Sequence, residues 1–313
     1  MPAKLSIHVP TQAVSIRVLV DGSDLILGRA PECDCVLAHE SVSRRHARIL
    51  QIEGDRWTIE DLGSKNGIRV DGSRVDSAEL AAHQWLAVGD VFCEFERVGA
   101  DAIEHLNARA AHRRQSSQLW IDRISTSDNV DGLMDTLLRG IVEIAECRRG
   151  FLLVMDRAGN LRVRAFHAMD PADLDGIAFS GSRSAVDRSI LERRAVYLSD
   201  RRDHDWLQDK ASVVARGIRA LASLPLHHEG RLLGVAYADT DDDAKIFTDL
   251  DADLLEAFAE RASNALAAVE IDATLTQIES AFADAGGATR WPGAAAAWNG
   301  AGARRGAASE SSG

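Results

Sequence analysis

The sequence predicts a multidomain protein in which an N-terminal all-β sandwich is followed by an α+β domain. Residues 5–98 contain short apolar runs divided by turn signals such as Asp21-Gly22 and Asp71-Gly72, and no helical periodicity of any length interrupts them. From residue 130 onward, amphipathic helical patterns alternate with paired strands. The length of 313 residues agrees with this organisation, because it corresponds to about two domains.

The strands of the first domain are short and alternate in polarity. Val91, Cys93 and Phe95 are apolar on one side of a run whose other side carries Phe92 and Glu94. A period of two is typical of strands with one face in a core, so we expect an antiparallel β-sandwich. The expected strands are Leu5–Val9, Ser15–Val20, Leu25–Leu27, Ala47–Ile52, Trp57–Asp61, Ile68–Val70 and Val91–Phe95.

Residues 100–117 differ in character from both neighbouring regions. They are polar and rich in alanine and other helix formers, and Ile103, Leu106 and Ala110 give a thin apolar stripe at helical spacing. The run from Arg113 to Ser117 then breaks this pattern. We therefore expect a helical linker between two folded domains, in preference to a basic helix that binds DNA.

The second domain combines helices and strands in an order that indicates an α+β sheet packed by helices. An amphipathic helix is expected over residues 130–150. A second helix is expected over Ala185–Arg193, with Ser184 as its N-cap. A long final helix should start near Thr248 or Asp251 and continue past Val269. The expected strands are Phe151–Met155, Leu161–Phe166, Val196–Leu198, Arg219–His227 and Arg231–Thr240.

The apolar stripe of the final helix extends beyond what one domain needs to cover itself. It continues through Ile271, Leu275, Ile278 and Phe282, and we therefore expect a homodimer in which the stripe pairs with its counterpart. After Ala283 the chain becomes rich in Ala, Gly and Ser, which predicts a disordered tail. The predicted boundaries are 1–99 for the first domain, 100–117 for the linker, 118–282 for the second domain and 283–313 for the tail.

Composition excludes several classes of protein. A hydrophobic content of 46% and a charged content of 27% are ordinary for a soluble globular protein. No run approaches the ~18–20 apolar residues that a membrane helix needs, and the first residues lack the apolar core of a secretory signal. The net charge of −12 argues against a general nucleic-acid binder, because phosphate backbones are held by basic surfaces.

Neither a metal site nor a catalytic site is predicted. The cysteines Cys33, Cys35, Cys93 and Cys147 show no C-x-x-C spacing, and such sparse usage suggests reduced thiols in the cytoplasm. No nucleophile, base and orienting acid occur together in a recognisable arrangement. We therefore expect a non-enzymatic cytoplasmic protein without a cofactor.

Three polar clusters of the first domain lie where the expected strands end: Gly28-Arg29, Ser43-Arg44-Arg45-His46 and Ser64-Lys65-Asn66-Gly67. Loops on a rigid sheet commonly carry binding residues. A phosphate on threonine carries about −1.5 to −2 charges and three acceptor oxygens.

The side chains of these clusters suit such a phosphate. The guanidinium of Arg29 can bond two of its oxygens, and Ser43 offers a hydroxyl and a backbone N–H. Arg44 or Lys65 can supply further positive charge. The amide of Asn66 suits hydrogen bonds to the main chain of the ligand beside the phosphorylated residue.

The order of the three clusters resembles that of the forkhead-associated (FHA) domain family, over residues 5–98. That family reads phosphothreonine. The resemblance implies that Arg29 and Ser43 hold the phosphate, that Arg44 assists, and that Asn66 clamps the main chain of the peptide. Lys65 occupies a position where the family frequently has a small hydroxyl residue. Two roles are therefore open for it: a contact to the phosphate, or a solvated side chain.

Three further residues of the clusters are expected to support the binding loops. We expect Gly28 and Gly67 to be turn residues that need backbone freedom. The resemblance implies that His46 braces the loops from beneath, without a role as ligand or catalytic base. Arg45 is expected to face solvent.

The second domain is similar to a GAF domain, a small-molecule sensor fold, over residues 118–270. The resemblance is carried by Ala185–Leu191, Leu224-Pro225-Leu226, Leu233–Asp239 and Phe247–Asp251. The last of these segments lies where cyclic-nucleotide-binding members carry an Asn-Lys-Phe-Asp-Glu set, and the match is partial. The resemblance implies a domain that senses a small ligand or mediates dimerisation.

The expected function is that of a cytoplasmic signalling adaptor. It would bind a phosphothreonine-containing protein, either a Ser/Thr kinase or its substrate, with no direct contact to nucleic acid or membrane. Two alternatives remain open. One is a transcription-regulatory sensor that acts through a partner, and the other is a cyclic-nucleotide sensor whose FHA-like domain is structural.

Overall fold

The computed structural model describes residues 1–9, 12–52, 55–124, 130–169, 180–199 and 217–284. Of the described residues, those up to Ala267 belong to one compact unit and those from Ala268 to Asp284 belong to a second. Within the described part of the chain, no helix is both long and apolar enough to cross a membrane.

The N-terminal region is a sandwich of two β-sheets, as predicted. One sheet has the strand order β2-β1-β11-β10-β7-β8 and the other β4-β3-β5-β6-β9. Strands β3 and β4 are parallel, and the other pairs recorded in the two sheets are antiparallel. The strands are β1 Ala3–His8, β2 Ser15–Leu19, β3 Asp24–Gly28, β4 Cys35–Val36, β5 Ala47–Ile52, β6 Arg56–Asp61, β7 Ile68–Val70, β8 Ser73–Val75, β9 Ser77–Leu80, β10 His83–Val88 and β11 Val91–Arg97.

The two sheets share one apolar core. Leu5 from one sheet and Ile49 and Trp57 from the other are fully buried in the same cluster, and the Trp57 ring centroid lies 6.0 Å from that of Phe95. In β11, Val91, Cys93 and Phe95 are buried while Phe92 is exposed. The alternation read from the sequence is therefore confirmed.

The connecting helix α1 runs without interruption from Ala100 to Ile124. We expected it to break at Arg113–Ser117, and this expectation was wrong. The polar run stays helical because Arg113 donates hydrogen bonds to the Ile144 carbonyl at 2.7 Å and to Asp251 Oδ1 at 2.8 Å. Beyond it, Trp120 and Ile124 are buried, so that tertiary contacts decide the conformation of this segment.

The second domain contains a five-stranded antiparallel sheet with the order β13-β12-β16-β15-β14. On one face of the sheet, the rings of Phe151 and Tyr237 stack with centroids 4.6 Å apart. Together with the sandwich, this α+β region confirms the predicted fold class. The elements are α2 Val130–Ile144, β12 Arg149–Met155, β13 Leu161–His167, α3 Ser180–Glu192, β14 Val196–Ser199, β15 Ala220–His228, β16 Arg231–Thr240 and α4 Asp249–Asp284.

Two helix boundaries differ from the expectation. Helix α2 ends at Ile144, not at residue 150, because Glu146 adopts a positive φ of 53° and the Cys147 N–H bonds back to the Val142 carbonyl at 2.9 Å. This C-terminal motif usually uses glycine, so the sequence shows no sign of it. Helix α3 begins at Ser180, and Ser184 therefore lies within the helix and is not its N-cap.

Helix α4 starts at Asp249 and continues past Val269, as expected. Its residues after Ala267 belong to the second compact unit, in which Ile271 and Leu275 are exposed. Of the predicted tail at 283–313, residues 285–313 lie outside the described residues.

Candidate functional site

The three polar clusters occupy loops that hydrogen bonds hold together. The Arg29 N–H, directly after β3, donates to the Ser43 carbonyl at 2.9 Å. The Lys65 N–H, in the β6–β7 loop, donates to Ser43 Oγ at 3.0 Å. The structure thus places Arg29, Ser43, Arg44, Lys65 and Asn66 in neighbouring loops of the sandwich, and we call these five residues the rim.

Arg29 is held at its base while its tip faces solvent. Its Nε donates to the Val42 carbonyl at 3.2 Å, and the residue is exposed. Within the described residues, no hydrogen bond engages its terminal nitrogens Nη1 and Nη2. The guanidinium is therefore oriented in advance and has two donors available for an anion.

Ser43 has one group available for a ligand, where we expected two. Its backbone N–H donates to His46 Nδ1 at 3.1 Å and is therefore engaged inside the protein. Its Oγ accepts from the Lys65 N–H, which leaves the hydroxyl hydrogen for an outside acceptor. The expectation of a free backbone N–H at Ser43 was wrong, because the imidazole beneath it needs that donor.

The rim carries positive charge without compensation. Arg44 and Lys65 are exposed, and so is Arg45, as expected. Across the part of the chain that the structure describes, no ion pair involves Arg29, Arg44 or Lys65. On a protein of net charge −12, these cations give the loops a local positive charge, which attracts anions.

The side-chain amide of Asn66 is held through its nitrogen, and its oxygen is left available. Its Nδ2 donates to the Ser41 carbonyl at 2.7 Å, so its Oδ1 is left for a donor such as the N–H of a ligand main chain. Ser41 is itself nearly buried, and its Oγ accepts from the Asp90 N–H at 2.9 Å. Our sequence analysis missed Ser41, whose only signal is its place two residues before Ser43.

His46 joins two of the loops from below. It is fully buried, its Nδ1 accepts from the Ser43 N–H, and its Nε2–H donates to the Gly67 carbonyl at 3.0 Å. These partners require a neutral imidazole with its hydrogen on Nε2. Both ring nitrogens are thus engaged in supporting the loops.

The two glycines are required for different reasons. Gly67 has a φ of +75°, a conformation that side chains rarely adopt, and so it needs backbone freedom as expected. Gly28 has no such conformation. A Cβ at Gly28 would overlap the Arg44 carbonyl oxygen, and close approach of two chain segments therefore explains this glycine.

In the second domain, the segment Phe247–Asp251 uses its polar groups internally. Asp251 has a side chain only 2% exposed, and its carboxylate accepts hydrogen bonds from the Thr248 N–H at 2.7 Å, Arg113 Nη2 at 2.8 Å and Lys245 Nζ at 2.9 Å. Burial alone would raise the pKa of Asp251, but Lys245, Arg113 and Thr248 together hold it below its ordinary value. This carboxylate therefore has no free position for a ligand.

Comparison with known proteins places two domain families on the chain. The sequence matches the family model of the FHA domain over residues 25–92 and that of the GAF domain over residues 127–267.

Known relatives match short parts of this chain. FHA domain-containing protein FhaB of Mycobacterium tuberculosis is 39% identical over 62 residues, which are 20% of this chain and 39% of FhaB. The glycogen accumulation regulator GarA of Mycolicibacterium smegmatis is 40% identical over 73 residues, which are 23% of this chain and 46% of GarA. The chain thus spans less than half the length of these two relatives.

Among solved structures, the FHA domain of CT664 from Chlamydia trachomatis is 31% identical, with a TM-score of 0.30, and the match covers 32% of this chain and 100% of that domain. The five rim residues all lie within the segment matched by the FHA model. The chain therefore contains an FHA domain in its N-terminal sandwich, followed by a GAF domain.

Proposed function

We propose that this protein is a cytoplasmic signalling adaptor that binds phosphothreonine-containing partner proteins through the rim. The observation that carries the proposal is the uncompensated, oriented guanidinium of Arg29 in a loop bonded to the loop of Ser43. A dianionic phosphate group matches this arrangement in charge and in its number of acceptors.

Some rim residues would bind the phosphate of the peptide, and another would bind the main chain of the peptide. Arg29 donates from Nη1 and Nη2, and Ser43 donates from its hydroxyl. Arg44 and Lys65 add charge at the exposed edge. Asn66, tethered through its Nδ2, presents its Oδ1 to the backbone of the bound peptide. Gly28, His46 and Gly67 support the loops that carry these groups.

We further propose that the partner is a Ser/Thr kinase or a protein phosphorylated by one. The match to the FHA family model supports this, because the resemblance implies a phosphothreonine ligand, and Ser/Thr kinases write that mark. We propose that the adaptor acts by binding its partner.

For the second domain we propose that it senses a small ligand or mediates dimerisation. The cyclic-nucleotide alternative gains no support from Asp251, whose carboxylate is engaged by Arg113, Lys245 and Thr248. A transcription-regulatory role through a partner stays compatible with the same rim. We retain 1–99, 100–117, 118–282 and 283–313 as the proposed domain limits.

A peptide library tests the proposed function directly. The full chain is screened against degenerate peptides with a fixed phosphothreonine, phosphoserine or unmodified threonine. We expect retention of phosphorylated but not of unmodified peptides, because the rim supplies charge and donors that only a phosphate engages. The FHA match further leads us to expect stronger retention of phosphothreonine than of phosphoserine peptides. Equal retention of the unmodified threonine peptides would contradict the proposal.

The proposed homodimer is tested by light scattering of the full chain at micromolar concentration. We expect twice the mass of one chain for the wild type, because Ile271 and Leu275 expose apolar surface on α4. Leu275→Glu should shift the mass toward that of one chain, whereas Glu270→Gln on the same helix should not. A wild-type mass of one chain would rule out the dimer.

A further inference from the structure

The N-terminal sandwich makes main-chain hydrogen bonds to the second domain. The residue before β2, Val14, forms a parallel bridge with Thr248, which precedes helix α4. The Val14 N–H donates to the Phe247 carbonyl at 2.7 Å, and the Asp249 N–H donates to the Val14 carbonyl at 2.8 Å. A segment of the second domain thus forms an isolated β-bridge directly before the edge strand β2, with two main-chain hydrogen bonds.

The carboxylate of Asp249, the first residue of α4, strengthens this pairing. Its Oδ2 lies 3.3 Å from Ser15 Oγ, 3.3 Å from the Ile16 N–H and 3.1 Å from Arg17 Nη1. All three donors belong to consecutive residues of β2. We call the bridge at Val14 and Thr248, together with these contacts of Asp249, the interdomain contact.

The interdomain contact lies at the same end of the sandwich as the rim. In β1, Ile7 pairs with Ser15 of β2 on one side and with Cys93 of β11 on the other. The turn just before β11 is bonded to residues beside the rim, since the Asp90 N–H donates to Ser41 Oγ and the Gly89 N–H to the Gly67 carbonyl. Four strand spacings separate β2 from β7, or about 19 Å.

The sandwich is therefore attached to the second domain at two separate places. One attachment is covalent, through β11 into α1, and α1 is itself fixed where Arg113 bonds to Asp251 and to the Ile144 carbonyl. The other is the interdomain contact at β2. A domain held by a single linker is free to reorient, whereas a second attachment on a different strand removes that freedom.

We propose that the interdomain contact, centred on Asp249, locks the rim in a fixed orientation relative to the start of α4. A ligand or an assembly state that displaces the start of α4 would then displace the rim with it. This proposal rests on the proposed function in one respect, the assignment of phosphothreonine binding to the rim. The interdomain contact itself can be tested without any phosphopeptide.

Hydrogen exchange of the full chain tests the contact from both sides. Asp249→Ala should speed amide exchange in Val14–Arg17 by about tenfold, because charge-assisted hydrogen bonds are lost. Arg17→Ala should speed exchange in Thr248–Leu250, on the other domain. The matched controls are Asp253→Ala, exposed on the same helix, and Arg69→Ala, exposed on β7.

The decisive result is whether a substitution in one domain changes amide exchange in the other domain. A response of Thr248–Leu250 to Arg17→Ala cannot arise from fraying of α4 at a mutated residue, and so it supports the lock. Exchange in both segments equal to that of the controls would overturn it. Failure of the wild type to retain phosphothreonine peptides, with the exchange response intact, would overturn the proposed function and leave the lock standing.

Discussion

Replacing Arg29 with alanine is expected to weaken the binding of a phosphothreonine peptide by more than tenfold. The guanidinium is held at Nε by the Val42 carbonyl and has no ion-pair partner in the described ranges, so a phosphate finds it oriented and uncompensated. A hydrogen bond to a charged group contributes about 1.5–3 kcal/mol. Fluorescence anisotropy with a labelled peptide selected from the library measures the change.

Two further variants separate charge from geometry at this position. Arg29→Lys keeps the charge but not the planar fork, and it should recover only part of the affinity. Arg45→Ala removes an exposed cation nearby and should have little effect. Equal affinity for Arg29→Ala and the wild type would count against phosphate binding at the rim, whatever the effect of Arg45→Ala.

The rim could be located from sequence because its residues are polar, clustered and placed at strand ends. The strands beside it show a clear period of two, as in β6 and β7, and glycines flank the loops, as Gly28 and Gly67 do. The sequence could not show which donors and acceptors of the rim are already engaged in hydrogen bonds inside the protein. The Ser43 N–H is consumed by His46, and Ser41 fixes Asn66 through a carbonyl that every residue possesses.

Sequence reasoning failed where tertiary contacts override local pattern. The polar run Arg113–Ser117 reads as a helix break, yet it stays helical because Arg113 reaches acceptors on α2 and α4. The end of α2 was missed because Glu146 takes the conformation that glycine usually supplies. The strands β8 and β9 were missed because they are only three and four residues long, and β8 is mostly exposed.

The expected effect on stability is largest at Asp251. Its carboxylate bonds to Arg113 and Lys245, whose side chains are only 12% and 8% exposed. Asp251→Ala leaves these two nearly buried cations with Glu146, whose side chain is 38% exposed, as their remaining shared carboxylate. Breaking a buried pair costs up to about 3–5 kcal/mol. Urea unfolding of the full chain at pH 7 measures the loss. Asp253→Ala, exposed on the same helix, should cost far less.

The pH dependence of this difference tests its electrostatic origin. Burial would raise the pKa of Asp251, but Lys245 and Arg113 hold it below its ordinary value in the folded protein. The carboxylate therefore contributes its full stabilisation above the unfolded pKa of about 3.9. That contribution is lost as the pH falls through the lower, folded pKa, where the carboxylate gains a proton. The stability difference between the wild type and Asp251→Ala should accordingly shrink at acid pH, and a constant difference would show that packing, not charge, makes Asp251 important.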